Sequence, residues 1–492
     1  MEPVGPVPYP AVLAAAPAAG PAGLLAELAE RAIPVETGPR ERAEHARDWW
    51  PPAIPEAAAG RVARWPGAVA RPRTSEEVAA TLAACARHHV PVTPQGGRSG
   101  VVDGATPPAG GLALDLTALD HVLEVDPVSQ LVRVEAGVFG PDLEAALEPH
   151  GLTAGHFPQS FAISTVGGWV SCRGAGQYST RYGKLEERVR GLRVALMDGR
   201  LVDLAARGPH PAAGPDLVGL FVGAEGTLGV ITEVTLALSR RARYDARTAR
   251  LFATFGEGLE ACRRVVQRGA RPAVLRLYDE TESRRSFGLE GCALVVLDEG
   301  DEGLVEATLA VVAEECAGAA QLDESIVATW LERRNDVSAL AALWGAGVVV
   351  DTVETVAPWA TLARLAREVR AALEAVPGMV VASAHQSHAY EDGACLYFTF
   401  GGQPPATTGD ADAWAEQFTV AAWDAVMAAT IARGGAISHH HGIGIARARY
   451  MDGAPGVAND VLACVKEALD PVGILNPGKM GLASAFGEVP WP

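Results

Sequence analysis

Adjacent glycines set just after apolar runs constrain this chain more than any other feature. Pro94-Gln95-Gly96-Gly97-Arg98-Ser99-Gly100 follows Val90-Pro91-Val92-Thr93, a run that reads as a strand. With no side chain in the way, several backbone N–H groups of such a loop can converge on one anion, and a pyrophosphate suits it. An ordinary tight turn is the competing reading, which glycines alone leave open. A second stretch, Ser164-Thr165-Val166-Gly167-Gly168-Trp169, continues through Arg173-Gly174-Ala175-Gly176 to Tyr182-Gly183. A third, Gly223 to Gly229, precedes the alternating run Val230 to Leu238. Three such loops in one β-rich segment favour a long ligand lying extended between them over three unrelated turns.

The pattern around the loops mixes strands and helices, and 492 residues suffice for two or three domains. Residues 1–58 are Pro-rich, with one amphipathic helix around Leu24 to Ala32, and read as an arm laid over a larger body. Residues 59–243 form the glycine-loop domain. Val69 to Pro72 reads as a strand, and Thr74-Ser75-Glu76-Glu77 starts a helix reaching about His88, with acids in its first turn. Short strands are expected at Leu112–Leu116, Val122–Val125 and Leu131–Ala136, then a helix at Pro141–Glu148. Val189–Met197 and Leu201–Leu204 read as a hairpin about Asp198-Gly199. After Tyr244 the elements lengthen, giving a second domain at 244–404 and a helical C-terminal portion at 405–492. Strands are expected there at Ala293–Leu297, Gly347–Val353 and Cys395–Phe400. Helices are expected near Glu257–Gln267, Glu302–Ala317, Thr361–Ala375, Ala411–Arg433 and Val457–Leu469.

Composition excludes several classes. A net charge of −18 argues against nonspecific binding to nucleic acid or to an anionic membrane surface. No run of about 18 uncharged apolar residues is present, so no membrane-spanning helix is expected. The N-terminus lacks a basic region and its Ala-rich stretch is broken by prolines, a poor secretory signal. Seven cysteines at irregular spacing, with no CxxC pair, read as free thiols in a reducing compartment. The expectation is a cytoplasmic protein, with a place at the periphery of a membrane, and an apolar substrate drawn from it, still open. Other phosphate motifs fail. No GxGxxG follows a strand, and Gly473 to Lys479 reads GxxxxGK with Met480 where magnesium needs a hydroxyl.

Ser438-His439-His440-His441-Gly442 is the densest polar cluster. Neighbouring side chains on extended backbone point to opposite faces, so at most two of the three imidazoles can face one site. Acid/base chemistry, metal ligation and a purely structural role all remain open. His385 and His388 stand at HxxH spacing upstream, but no Asp or Glu joins either cluster at ligand spacing, and no metal is expected.

The glycine loops resemble those of the FAD-binding domain of the vanillyl-alcohol oxidase and p-cresol methylhydroxylase superfamily. That resemblance implies a two-part FAD-binding domain, then an α+β substrate-binding cap and the helical C-terminal portion. It implies FAD held by Pro94, Gln95, Gly96, Gly97, Arg98, Ser99 and Gly100, with the pyrophosphate on this loop. Pro158, Ser160, Ser164, Thr165, Gly167, Gly168, Arg173 and Gly176 would follow, then Glu225, Gly226, Thr227, Gly229, Val230 and Ile231. Some relatives attach the flavin through a histidine in the first loop. Arg98 and Ser99 stand there instead, so non-covalent FAD is expected.

Further motifs resemble the alkylglycerone-phosphate synthase family: the Ser-His-His-His-Gly run, Glu354-Thr355-Val356-Ala357-Pro358-Trp359, and Asp392-Gly393-Ala394-Cys395-Leu396-Tyr397. Gly155-His156 through Pro158 and the Leu275-Arg276-Leu277 segment match as well. The resemblance implies exchange of an acyl for an alkyl group through a flavin N5 adduct, a step in ether-lipid formation. Tyr397 would assist proton transfer, His439, His440 and His441 would line the site, and Arg276 and His385 would meet a small, lipid-like substrate. It implies a homodimer too. The chain departs from the pattern where Ser338 to Gly347 holds no basic residue and where His385 replaces an arginine. Arg333 and Arg334 stand nearby. A non-phosphorylated substrate is therefore open. So is the alternative of an FAD-dependent oxidoreductase acting on a 2-hydroxy acid, although Leu396-Tyr397-Phe398-Thr399-Phe400-Gly401 replaces that group's His-, Gly- and Asp-rich motif. A flavin-binding protein without turnover is the third reading.

Overall fold

A computed structural model of the chain describes residues 9–58, 60–204, 208–209, 211–335, 343, 347–405, 408–454, 456 and 458–489. Two sheets build the glycine-loop half. In the first, Val92–Gln95 and Ala68–Ala70 both run parallel to Leu112–Asp115. Helix Ser75–Arg87 covers it. Thr74 caps the helix by accepting from the Glu77 N–H, and Val78, Leu82 and Cys85 turn inward at helical spacing. The second sheet is antiparallel, in the order Val122–Asp126, Leu131–Glu135, Val230–Ala237, Val189–Ala195, Leu201–Asp203. The alternation in Val230–Ala237 places Val230, Val234 and Leu236 in the core.

The cap is a seven-stranded antiparallel sheet. Its order is Ala320–Leu322, Tyr244–Phe252, Cys292–Gly300, Val274–Tyr278, Met379–Ala389, Gly393–Gly402, Val349–Pro358. Helices Phe255–Gln267, Trp359–Glu374 and Ala411–Ala432 bury its apolar side around Phe398, Phe400 and Trp423. Four of these strands escape sequence reading, the short Ala320–Leu322 among them. Tyr244–Phe252 carries two arginines and an aspartate, yet pairs residue for residue with Cys292–Gly300. Met379–Ala389 holds two histidines and a glutamine and is buried on both faces from Ala382 onward. Val274–Tyr278 is interrupted by Arg276.

The ends of the chain are more deeply woven in than an arm and a separate helical portion would be. Val35–Glu36 pairs antiparallel with Ala68–Ala70, and Leu24 and Leu28 of helix Ala22–Glu30 are buried in the same core. Residues 405–492 divide between the two halves. Ala411–Ala432 packs on the cap, whereas Ile474 and Leu475 join the core of the first sheet, and the Val92 N–H donates to Ile474 O at 2.8 Å. The physical reason is burial: the N-terminal helix and Ile474-Leu475 bury their apolar side chains in the core of the first sheet, and Ala411–Ala432 buries its own on the cap. Among the described residues, no helix is long and apolar enough to cross a membrane.

Candidate active site

Strand Val92–Gln95 ends at the first glycine loop, where Gln95 Nε2 donates to His45 O and Ala105 O at 2.9 and 2.6 Å. Thr165 opens helix Val166–Ser171 as its N-cap and carries the second loop. The two loops touch: a Cβ on Gly97 would run into the Ile163 carbonyl, and one on Gly96 into Thr165 Oγ1. Glycine is demanded here by close approach, not by turn geometry. Between these loops, the third loop and the cap lies a cavity of about 1230 Å³.

The whole run Pro94–Gly100 lines it, as do Pro158, Ser160, Thr165, Gly167, Gly168, Glu225, Gly226, Gly229, Val230 and Ile231. Four expected cofactor contacts stand behind the wall instead. Ser164 accepts from Trp169 Nε1 at 2.6 Å and donates to Ser160 O, so its hydroxyl is spent on holding the loop. Thr227 is fully buried and donates to Ala224 O at 2.7 Å. Gly176 lies against the backbone of His156 and Phe157, where no Cβ fits. Arg173 lies against Gly223, its side chain half exposed and 3.8 Å from Glu186.

The cap brings Tyr397 to the cavity from strand Gly393–Gly402. Its hydroxyl lies 2.6 Å from His440 Nε2 and 3.1 Å from His441 Nε2. His439 turns away from the cavity and shares a hydrogen bond with His440 between their Nδ1 atoms at 2.9 Å. Two imidazoles thus face the cavity, but they are neighbours: residues 439–441 form a bend, so the alternation expected of extended backbone does not apply. The loop is fixed from behind by Glu354, which accepts from the N–H groups of His439, His440 and His441 at 2.8, 3.2 and 2.8 Å. Glu225 accepts from the Ile443 and Gly444 N–H groups at 2.5 and 2.8 Å. Burial pushes the Tyr397 phenol well above its ordinary value and the His439 and His440 imidazoles well below theirs. His441 falls to about 4 for the same reason, Glu354 opposing the shift. All three histidines are thus neutral at pH 7.

Arg276 and His385, both expected to contact substrate, line the cavity and also contact each other. His385 Nδ1 faces Glu282 Oε2 at 2.8 Å, and its Nε2 faces Arg276 Nη2 at 2.6 Å. Arg276 can only donate, so His385 Nε2 accepts and its Nδ1–H donates to Glu282. Both ring nitrogens are spent on protein partners. Its face stacks on Tyr397 at 4.8 Å. Arg276 keeps its Nε buried and unpartnered, as Arg334 keeps its Nη1. Both guanidinium groups lie against the Trp330 ring, at 5.9 and 5.5 Å, and both line the cavity together with Arg285 and Arg333.

Residues 66–205 match the family described as an FAD binding domain, and residues 243–480 match the C-terminal domain of FAD linked oxidases. The chain belongs to the FAD-linked oxidases of the vanillyl-alcohol oxidase and p-cresol methylhydroxylase superfamily. It is 29% identical to an alkyldihydroxyacetonephosphate synthase of Trypanosoma brucei brucei over 467 residues, covering 86% of this chain and 74% of that one. It is 28% identical to a glycolate oxidase subunit of Bacillus subtilis over 436 residues, covering 84% and 89%. A solved alkyldihydroxyacetonephosphate synthase superposes with a TM-score of 0.77 at 23% identity, covering 94% of this chain and 86% of that one. A substrate-bound p-cresol methylhydroxylase gives 0.73 at 16% identity, covering 96% and 97%.

The cavity of this FAD-linked oxidase fits its cofactor. Three glycine loops give backbone access along one wall, and two buried polar atoms of lining residues, His156 Nε2 and Gln177 Oε1, have no protein partner. Sequence reasoning missed Trp49, which the N-terminal segment brings to the cavity, and Trp330, Arg285 and Glu282, which lie in helices without any motif. Folding also brings His388 to the histidine run. Nitrogens of His388, His439 and His440 come within 4.8 Å of one another. Among the described residues, no carboxylate joins that trio. Ser338 to Ala346 falls outside the described residues except for Leu343.

Proposed function

We propose that this chain holds FAD without a covalent link and exchanges an acyl for an alkyl group on a small, lipid-like substrate bearing an anionic group. The observation that carries this reading is the Tyr397 hydroxyl, bonded at once to His440 and His441 on the cavity wall. FAD, when bound, supplies an electrophilic ring. The chain's own residues supply the rest. Tyr397 Oη takes or returns a proton beside the cavity, and the neutral imidazoles on either side pass it without becoming charged. Arg276 and Arg334 offer unspent donors to the substrate's anionic group, which places that group near Trp330. Glu354 and Glu225 hold the histidine loop still while this happens.

FAD-dependent oxidation of a 2-hydroxy acid is the second reading. It is favoured by the arginines, which suit a carboxylate as well as a phosphate, and by the likeness to a glycolate oxidase subunit. An anaerobic absorbance titration separates the two. Bleaching of the flavin band by a 2-hydroxy acid, reversed by air or a dye, would displace the first reading. Bleaching only by acyl-dihydroxyacetone phosphate, with colour restored by a fatty alcohol and no oxidant, is the expected result.

A further inference from the structure

Past Tyr397 the polar contacts do not stop at the histidine run. His440 Nδ1 and His439 Nδ1 are 2.9 Å apart, and His439 Nε2 is buried with no partner. The His388 ring stacks on that of His439 with centroids 5.1 Å apart, and a nitrogen of each comes within 4.8 Å of the other. Two hydrogen bonds of about 2.8 Å through a single water bridge nitrogens at the upper end of that range. Beyond it, His388 Nδ1 lies 2.7 Å from Ser179 Oγ, which lies 3.2 Å from the Tyr390 hydroxyl. Tyr390 is half buried at the end of strand Met379–Ala389, next to the exposed turn Glu391-Asp392.

We propose that His439, His388 and Ser179, with one water between the two histidines, form a proton relay joining Tyr397 to Tyr390 at the outer turn of the cap sheet. The inference rests on the role given to Tyr397 above. The hydrogen bonding closes without a conflict. Let Tyr390 O–H donate to Ser179 Oγ, and Ser179 O–H to His388 Nδ1. Then His388 Nε2–H donates through water to His439 Nε2, His439 Nδ1–H to His440 Nδ1, and His440 Nε2–H to Tyr397 Oη. Each imidazole has one N–H and one bare nitrogen, as a neutral ring must. When Tyr397 gives its own proton to the cavity, each member passes one proton inward and the deficit appears at Tyr390. The reversed chain of donors carries a proton outward. No oxidant or further reactant enters.

The charges facing His388 and His439 favour neutral rings. Lys184 Nζ donates to His439 O at 2.6 Å, Arg276 lies on the His385 side, and His385 and His441 flank the pair. Glu354 spends its oxygens on backbone N–H groups, Ser438 and Arg447, and Glu186 is paired with Lys184 at 3.1 Å. His388 also lines the cavity, and Ser179 ties it to Tyr390, so the two residues link the cavity wall to the outer turn.

The test needs no substrate, so it can fail while the flavoenzyme reading stands. FAD-loaded protein labelled with ¹⁵N-histidine would be read by NMR at pH 7 for the tautomer of each ring. His388, His439 and His440 should each show one protonated and one bare nitrogen. Ser179→Ala and Tyr390→Phe, each losing a single hydroxyl at the outer end, should change the tautomer population at His440 by about two-fold or more. A His440 signal indifferent to both variants would overturn the relay. So would a charged imidazole at pH 7 among the three, or ring signals altered by EDTA, which would put a cation where the water belongs. Should one variant fail to fold, the other carries the same decision.

Discussion

Arg447 Nη1 lies 3.0 Å from Glu354 Oε1, with neither side chain exposed to water. Burial alone would raise the Glu354 carboxyl, but Arg447, His441 and three backbone donors outweigh it and hold the group below its ordinary 4.5. Breaking such a pair from one side costs about 3–5 kcal/mol, because the other charge stays buried. Glu354→Ala should lose roughly that much stability in denaturant unfolding of the FAD-loaded protein. Unfolding within about 1 kcal/mol of wild type would refute the clamp.

Tyr397→Phe removes one hydroxyl and leaves the ring to stack on His385. Activity should fall by about 10²- to 10⁴-fold, the usual worth of a positioned proton donor, while the protein stays yellow. His440→Ala should behave alike. Colourless protein from either variant would mean that the residue holds the cofactor and not the proton.

Acid should weaken the fold earlier than carboxylates alone would dictate. His441 titrates near 6.5 when unfolded and about 4 when folded, and His388, His439 and His440 shift in the same direction. Across that window the unfolded chain binds protons that the native state refuses, so stability falls as pH drops from 6.5 toward 4. Glu354 adds to the loss below its ordinary 4.5, since its folded value is depressed. Melting temperature against pH should show the slope, and His441→Gln should make it shallower. An unchanged slope would assign the acid sensitivity elsewhere.

Arg276→Ala should raise KM for an anionic substrate by about ten- to a hundred-fold, as expected from one charge-assisted hydrogen bond. A neutral analogue should be unaffected by the change. Equal losses on both would show that Arg276 supports the cavity wall without reading charge.

Gly97→Ala should weaken FAD binding by about ten-fold or more in a fluorescence titration, because the new Cβ meets a backbone carbonyl that cannot swing aside. Acid precipitation of the wild-type protein should release all of the flavin. Yellow pellet would contradict a non-covalent site.

Much of the cofactor half was readable because its signals are local. A glycine loop after Val92, a Thr74 cap before an amphipathic helix and alternation in Val230–Ala237 each need only neighbouring residues. The active site draws on contacts without local signature. His388 meets His439 only because strand Met379–Ala389 is sandwiched inside the cap sheet, and that strand looks too polar for a core. Its polar side chains are affordable only in pairs, His385 with Glu282, His388 with Ser179, Gln386 with Leu275 O. The partner of each stands on another element. Ser164 and Thr227, expected from the resemblance to contact the cofactor, turn their hydroxyls to local hydrogen bonds that no sequence pattern announces.

The bond from the Val92 N–H to Ile474 O sets the order in which a ribosome can finish this molecule. The first glycine loop leaves the exit tunnel early, yet the sheet beneath it lacks its last buried neighbours until Ile474 and Leu475 have been made. The entire cap is synthesised in between. The sheet beneath the flavin loop is therefore not fully covered until Ile474 and Leu475 have joined it.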